Sequence, residues 1–247
     1  MLGCAAYQAG SGNFATAFGL AIASSAVSLA PTLIKNSFWW GPILTSIPTL
    51  HRELWLTIDD GPVPDQTPYT LDVLAKHNVR ASFFVIGKQV GAEPSICRRM
   101  IAEGHTVENH TYSHPEYRFW FATKRQAEDE IVHGSRAISD AVGVFPSYFR
   151  APVGFANLNV HRAAAQNNLT LVGWSASGVD GVSHTQENVI RKLIRSVQPG
   201  GIVLLHDSRV TNTPPGKRAQ TLDRALTLLK DRNYTFCLPS PTAPTLA

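Results

Sequence analysis

The stretch Leu54-Trp55-Leu56-Thr57-Ile58-Asp59-Asp60-Gly61-Pro62 begins as an apolar, β-prone run and ends in two adjacent carboxylates, a Gly and a Pro. Hydrophobic strands rarely finish in paired acids, because each ionised carboxylate taken from water needs a partner. The Gly-Pro turn fixes the chain direction straight afterwards and leaves both acids at the strand's C-terminal mouth. In α/β folds that mouth is where chemistry is done. Neighbouring side chains on an extended chain point to opposite sides. The two acids are therefore expected to take different jobs, one binding a metal and one handling a proton. Taken alone, the stretch would read by default as a strand-ending turn with solvated acids, so the rest of the chain decides.

From Leu54 onward the chain alternates strand and helix signals. Strand-like runs fall at 54–59, 81–87, 105–110, 147–150, 170–175, 201–207 and 234–238. Helical patterns fall at 69–77, 94–102, 124–142, 158–168, 186–198 and 217–232. In the fifth of these, Val189, Ile190, Leu193, Ile194 and Val197 share one helical face. Strict βαβα alternation predicts an α/β fold with a parallel sheet and right-handed crossovers. Its strand and helix numbers are nearly enough for a closed barrel.

Polar residues collect where these strands end. Strand one ends in Asp59 and Asp60, and strand three runs into His110-Thr111-Tyr112-Ser113-His114. Strand four ends in Arg150, strand five is followed by Trp174 and Asp180, and strand six ends in His206-Asp207. All lie on one rim of the expected barrel, which makes a site. Two histidines four apart present two imidazole nitrogens to one ion. With one of the two carboxylates they form a His2Asp set that leaves room for water, the pattern of a catalytic zinc site. The other carboxylate would take the water's proton, and His206 would protonate the leaving group.

These residues resemble the polysaccharide deacetylase family (carbohydrate esterase family 4, the NodB-homology domain) from Leu54 to Leu238. Thr57-Ile58-Asp59-Asp60-Gly61-Pro62 is similar to the family's TFDDGP motif, and His110-Thr111-Tyr112-Ser113-His114 to H(S/T)xxH. Arg150-Ala151-Pro152-Val153-Gly154 resembles RxPxG, and Val203-Leu204-Leu205-His206 resembles LxLH. The resemblance implies a distorted (β/α)7 barrel of parallel strands with its active site at their C-terminal rim. It implies metal-dependent removal of N- or O-acetyl groups from an acetylated carbohydrate. Asp59 is then the base, His206 the acid, and Asp60, His110 and His114 the ligands of one divalent ion. That ion is expected to be zinc, with cobalt or nickel as substitutes. Arg150 would orient Asp59, the backbone N–H of Val153 would help hold the oxyanion, and Trp174 and Leu205 would line the substrate pocket. Asp180 would hydrogen-bond His206 and raise its pKa.

The chain departs from the pattern in two places. Val153 stands where the third motif usually carries an aromatic, and the fourth motif, typically D-x-x-D-W, keeps one acid, with Gly181 in place of its Trp. Two other readings stay open: a non-catalytic carbohydrate-binding relative, and a deacylase of formyl groups or of a lipid-linked sugar. His105 reads as structural; His51, His77, His133, His161 and His184 are assigned nothing. Asp207 reads as pairing with a local backbone amide.

Composition sets the remaining bounds. The 247 residues are 44% hydrophobic and only 16% charged, which suits one large α/β domain or two small ones. A net charge of +4 spread along the chain forms no dense basic patch, so no nucleic-acid partner is expected. Cys4, Cys97 and Cys237 are too far apart for a disulfide framework or a CxxC site. Residues 1–50 read as an N-terminal segment and linker, 51–238 as the deacetylase-like domain, and 239–247 as a disordered Pro-rich tail. The first 34 residues are uncharged, and 14–34 read as a membrane-associated helix or one packed on the domain, with a signal peptide as the third reading. A cell-envelope or membrane-associated location is favoured over a cytoplasmic one, and oligomeric state is left open.

Overall fold

The computed structural model describes residues 16–20, 34–180, 185–207 and 214–240. Strand β1 (Glu53–Gly61) lies at the centre of the sheet because its near-continuous apolar run suits burial on both faces. Leu54, Leu56 and Ile58 join the core beneath the helices, whereas Trp55 belongs to a separate cluster inside the barrel. β1 pairs in parallel with β2 (Ser82–Val85) on one side and β7 (Ile202–His206) on the other. Outward from β2 follow β3 (Thr106–Asn109), β4 (Tyr148–Phe149) and β5 (Thr170–Leu171); β6 (Ala176–Ser177) lies beyond β7. β8 (Thr235–Phe236) pairs with the first two residues of β1.

The expected strand 170–175 takes a different form. Its start pairs with β4 at one end of the sheet, and its continuation, β6, pairs with β7 at the other. One extended run thus joins both ends into a ring, and the change of partner breaks the ladder between them. Residues 44–47 fill the seam: Leu44 bridges Val172, and the Ile47 N–H donates to the Gly200 carbonyl at 2.8 Å. This stretch, read from sequence as linker, makes backbone bonds with the barrel.

Between the strands run α1 (Thr67–His77), α2 (Gly87–Ala92), α3 (Pro94–Ala102), α4 (Lys124–Val142), α5 (Leu158–Gln166), α6 (Gln186–Ser196) and α7 (Lys217–Lys230). α2 was not expected, because 81–87 reads as one strand; β2 stops at Val85, and Gly87 instead begins the helix. A Cβ at Gly87 would stand 2.8 Å from the Tyr112 ring, so only glycine allows this close approach. α4 is bounded by local chemistry. Thr123 and Gln126 form a reciprocal capping box, and Gly143 closes the other end with φ +75°.

The barrel interior is divided along its axis. Its lower part is filled by Trp55, Phe84, Tyr148, Val172 and Ile202, with the Trp55 and Tyr148 rings 4.9 Å apart. The Trp55 indole N–H donates to Ser82 Oγ at 2.8 Å, so the plug contains no orphaned indole. Above it the interior opens into a cavity at the C-terminal ends of the strands, where the carboxylates of Asp59 and Asp60 and the imidazoles of His110, His114 and His206 collect. Among the described residues no helix is long and apolar enough to cross a membrane. Most of residues 14–34, and residues 241–247 of the tail, lie outside the described residues.

The large core under the helices sets the scale of stability. Phe83 is fully buried there, and Phe83→Ala is expected to cost about 3–5 kcal/mol through lost burial and a residual cavity. Urea unfolding followed by circular dichroism checks this as a lower midpoint at unchanged slope.

Candidate active site

Asp59 and Asp60 face one cavity, contrary to the expectation that adjacent side chains diverge. The pairing of β1 with β2 slips between Asp59 and Gly61, leaving Asp60 as an extra residue with φ +74°. Such a bulge breaks the two-residue alternation and turns the second carboxylate to the same side as the first. In parallel register Asp59 stands beside His206, so base and acid candidates come from neighbouring strands.

The two histidines are held by the turn after β3. Thr111 and His114 both have positive φ, and the His114 N–H donates to Thr111 Oγ1 at 3.0 Å. Glu130 on α4 fastens the turn by accepting from the Tyr112 and Ser113 N–H groups and the Ser113 hydroxyl. Sequence reasoning missed Glu130, since nothing local marks a helical acid as the anchor of a turn 17 residues away. His110 Nδ1 donates to the Arg150 carbonyl at 2.7 Å, which directs its Nε2 lone pair inward.

Asp60 Oδ1 lies 3.5 Å from Nε2 of both His110 and His114. It is buried and accepts no well-formed hydrogen bond. The three ligand atoms fall within 4.8 Å of one another. Donors about 2 Å from a tetrahedral ion stand about 3.3 Å apart, so the triad fits a divalent metal such as zinc. The charges agree with this. Burial raises the Asp60 pKa, but the three surrounding imidazoles, His110 first, hold it well below the carboxylate range. Burial and the neighbouring His110 push His114 down to about 4, leaving it neutral for coordination. Burial opposes a charge on His110, yet Asp59 and Asp60 draw a proton to it, and the same field favours a cation.

Two further pairs flank the triad. Arg150 is fully buried and donates from Nη1 to Asp59 Oδ1 at 2.6 Å and to Thr57 Oγ1 at 2.8 Å. Its Nη2 donates to the Gly173 carbonyl, and the guanidinium carbon lies 4.2 Å from the Phe84 ring centroid. Asp59 Oδ2, left free of Arg150, is 3.7 Å from His110 Nε2. Opposite, Asp180 Oδ1 lies 2.7 Å from His206 Nδ1, and Asp180 Oδ2 accepts from the His206 backbone N–H, also at 2.7 Å. Burial lowers the His206 pKa, but Asp180 outweighs it and the imidazole reaches about 9.

The cavity occupies about 820 Å³ and is lined by Asp59, Asp60, His110, His114 and His206, with walls that include Val153 and Trp174. Val153 has φ +60°, and a Cβ at Gly154 would come within 2.5 Å of the Trp174 ring, so the third-motif glycine is required. Leu205 is the exception among the expected site residues. It packs in the core under the helices, and Leu204 lines the cavity instead. The cause is strand alternation: residues two apart share a face, so Leu204 and His206 point inward together. Asp207 is also buried, and its partner is the Thr70 hydroxyl at 2.8 Å rather than a local amide. His105 takes the structural part expected of it, with Nδ1 accepting from the Ala81 N–H. Lys35 also lines the cavity, brought there because Asn36 bonds the Gly154 and Trp174 carbonyls.

Residues 46–172 match the family model described as Polysaccharide deacetylase, just over half of the chain. The chain belongs to the polysaccharide deacetylase family. It is 37% identical over 190 residues to a chitooligosaccharide deacetylase of Bradyrhizobium sp. (strain ANU 289), covering 76% of this chain and 84% of that one. It is 34% identical over 189 residues to the peptidoglycan-N-acetylglucosamine deacetylase PgdA of Listeria monocytogenes, covering 75% of this chain but 38% of the longer relative. The crystal structure of the Bc1960 peptidoglycan N-acetylglucosamine deacetylase superposes with a TM-score of 0.72 at 30% identity, covering 81% of this chain and 92% of that one. These likenesses and the assembled triad make the chain a carbohydrate deacetylase, a hydrolase of this family.

The Asp180–His206 pair predicts a titration in metal-free protein. The His206 ring should titrate near 9 by NMR. Replacing the charge in Asp180→Asn should leave burial dominant and bring that titration to lower pH.

Proposed function

We propose that this deacetylase is a zinc-dependent N-deacetylase of glycans containing N-acetylglucosamine. The observation that carries the proposal is one cavity in which the Asp60–His110–His114 triad lies between Asp59–Arg150 and His206–Asp180. The relatives named above act on chitooligosaccharides and on peptidoglycan N-acetylglucosamine, which share the N-acetylated sugar. The cavity volume is near the upper end of the usual range for ligand pockets, enough to receive a sugar with its acetamido group.

The roles follow from hydrogen-bonding capacity. Zinc, when bound, supplies Lewis acidity and lowers the pKa of water toward neutrality. Asp59 is the base: Arg150 holds Oδ1, which leaves Oδ2 to take the proton of the attacking water. Water oxygen adds to the acetyl carbon, and the backbone N–H of Val153, a residue of the cavity lining, would serve the carbonyl oxygen as it gains charge. As the carbon–nitrogen bond breaks, His206 delivers a proton to the nitrogen, and acetate and a free amine leave. Asp180 keeps His206 protonated against the pull of burial and of a nearby cation. Trp174 walls the acetyl group in place of the missing fourth-motif Trp.

Acetate release from chitooligosaccharides, peptidoglycan fragments and acetylated xylan tests this directly. Turnover should be highest on the N-acetylated glycans and vanish in metal-stripped protein held with chelator. Full turnover without metal overturns the proposal. Asp60→Asn should weaken metal binding, whereas Asp59→Asn should keep the metal and lose roughly 10²-fold or more in kcat, the scale of a lost general base. Asp180→Asn should move the alkaline limb of the pH–kcat/KM profile to lower pH, because the acid form of His206 is lost sooner.

A further inference from the structure

Asp180 lies on the irregular run after β6, where no strand ladder fixes it. Its carboxylate must nevertheless bond both the ring and the backbone of His206 at the same time. A second side chain reaches this pair from α7. Arg218 Nη1 lies 3.2 Å from Asp180 Oδ2, 3.3 Å from the His206 carbonyl and 3.5 Å from the Asp180 carbonyl. Its side chain is only 11% exposed, and that of Asp180 only 10%. A charge so deeply placed needs a partner of opposite sign.

We propose that Arg218 is a positioning residue that clamps Asp180 and the end of β7 together, and so aims the His206 ring into the cavity. The inference rests on the reading of His206 as proton donor. The donor set suits this role, because one guanidinium nitrogen shared among three acceptors on two segments fixes their separation, which a lysine ammonium does less rigidly. The helix that carries it is firmly seated. Leu222, Ala225 and Leu226 on α7 are buried in the main core. The segment leading into it is tied to the loop after the paired acids, where the Gly216 N–H donates to the Asp65 carbonyl and Gln66 Nε2 to the Pro214 carbonyl. Arg218 thereby links the first-motif loop, Asp180 and His206 in one frame. Only one acid remains in the fourth motif, so this contact gives Asp180 a support from outside the motif.

A double-mutant cycle on the metal-loaded enzyme tests the proposal. Arg218→Met should lower kcat about tenfold, part of the roughly 10²–10⁴ that a general acid supplies, with KM and metal content little changed. In the Asp180→Asn background the same substitution should change kcat by less than about twofold, since coupled residues are non-additive. Arg218→Lys should recover part of the loss. Equal losses in both backgrounds, or no loss in either, overturn the proposal. If Arg218→Met does not fold, as judged by circular dichroism, Arg218→Gln and Arg218→Lys carry the same cycle. If Asp180→Asn itself leaves kcat and the pH profile unchanged, the reading of the Asp180–His206 pair falls. If Asp180→Asn is impaired and the Arg218 variants are not, only the role of Arg218 falls.

Discussion

The buried guanidinium of Arg150 holds the upper barrel together. Its hydrogen bonds reach Thr57 and Asp59 on β1 and the carbonyls of Val172 and Gly173 on the closing run, while its face covers Phe84 on β2. A cation at zero exposure is tolerable only when its donors are directed to acceptors and one of these is ionised. Removing either member of such a pair leaves the other charge stranded, at a cost of about 3–5 kcal/mol. The same bond that makes the arginine tolerable leaves one Asp59 oxygen facing the cavity. Fold closure and the orientation of Asp59, the proposed base, are thus a single interaction, and the arginine's backbone carbonyl orients His110 as well.

The rim departs from regular structure around the cavity. Asp60, Thr111, His114, Val153 and Val179 are non-glycine residues with positive φ, and the cavity lining includes Asp60, His114, Val153 and Val179. Each such conformation costs about 1–3 kcal/mol and persists only where surrounding bonds over-determine it. Here those bonds are visible: Glu130 beneath the histidine turn, Asn36 against Gly154 and Trp174, and Arg218 beside Asp180. The strain is offset below by the aromatic plug and the large core under the helices, which keep the frame rigid while the rim is bent. The N-terminal stretch takes part in this support, since residues 36–47 bond to the cavity wall and close the barrel seam.

Alternation of apolar runs and amphipathic helical patterns after Leu54 determined the α/β class, and the polar residues at the run ends marked one rim. Those signals are local, because strand and helix periods are written in neighbouring residues and strand ends inherit their position from the run. Asp59, Asp60, His110, His114, Arg150, Asp180 and His206 were legible for that reason, and the geometry brings them into one place. What neighbours in sequence do not encode was left to the fold. The bulge that turns Asp60 to the side of Asp59 depends on pairing with β2. The exchange of Leu205 for Leu204 depends on which face of β7 meets the cavity. The supports Glu130, Asn36 and Arg218 act across 12 to 138 residues of chain. Local periodicity reports which residues share an element, whereas register, closure and long-range hydrogen bonds exist only once the elements have packed.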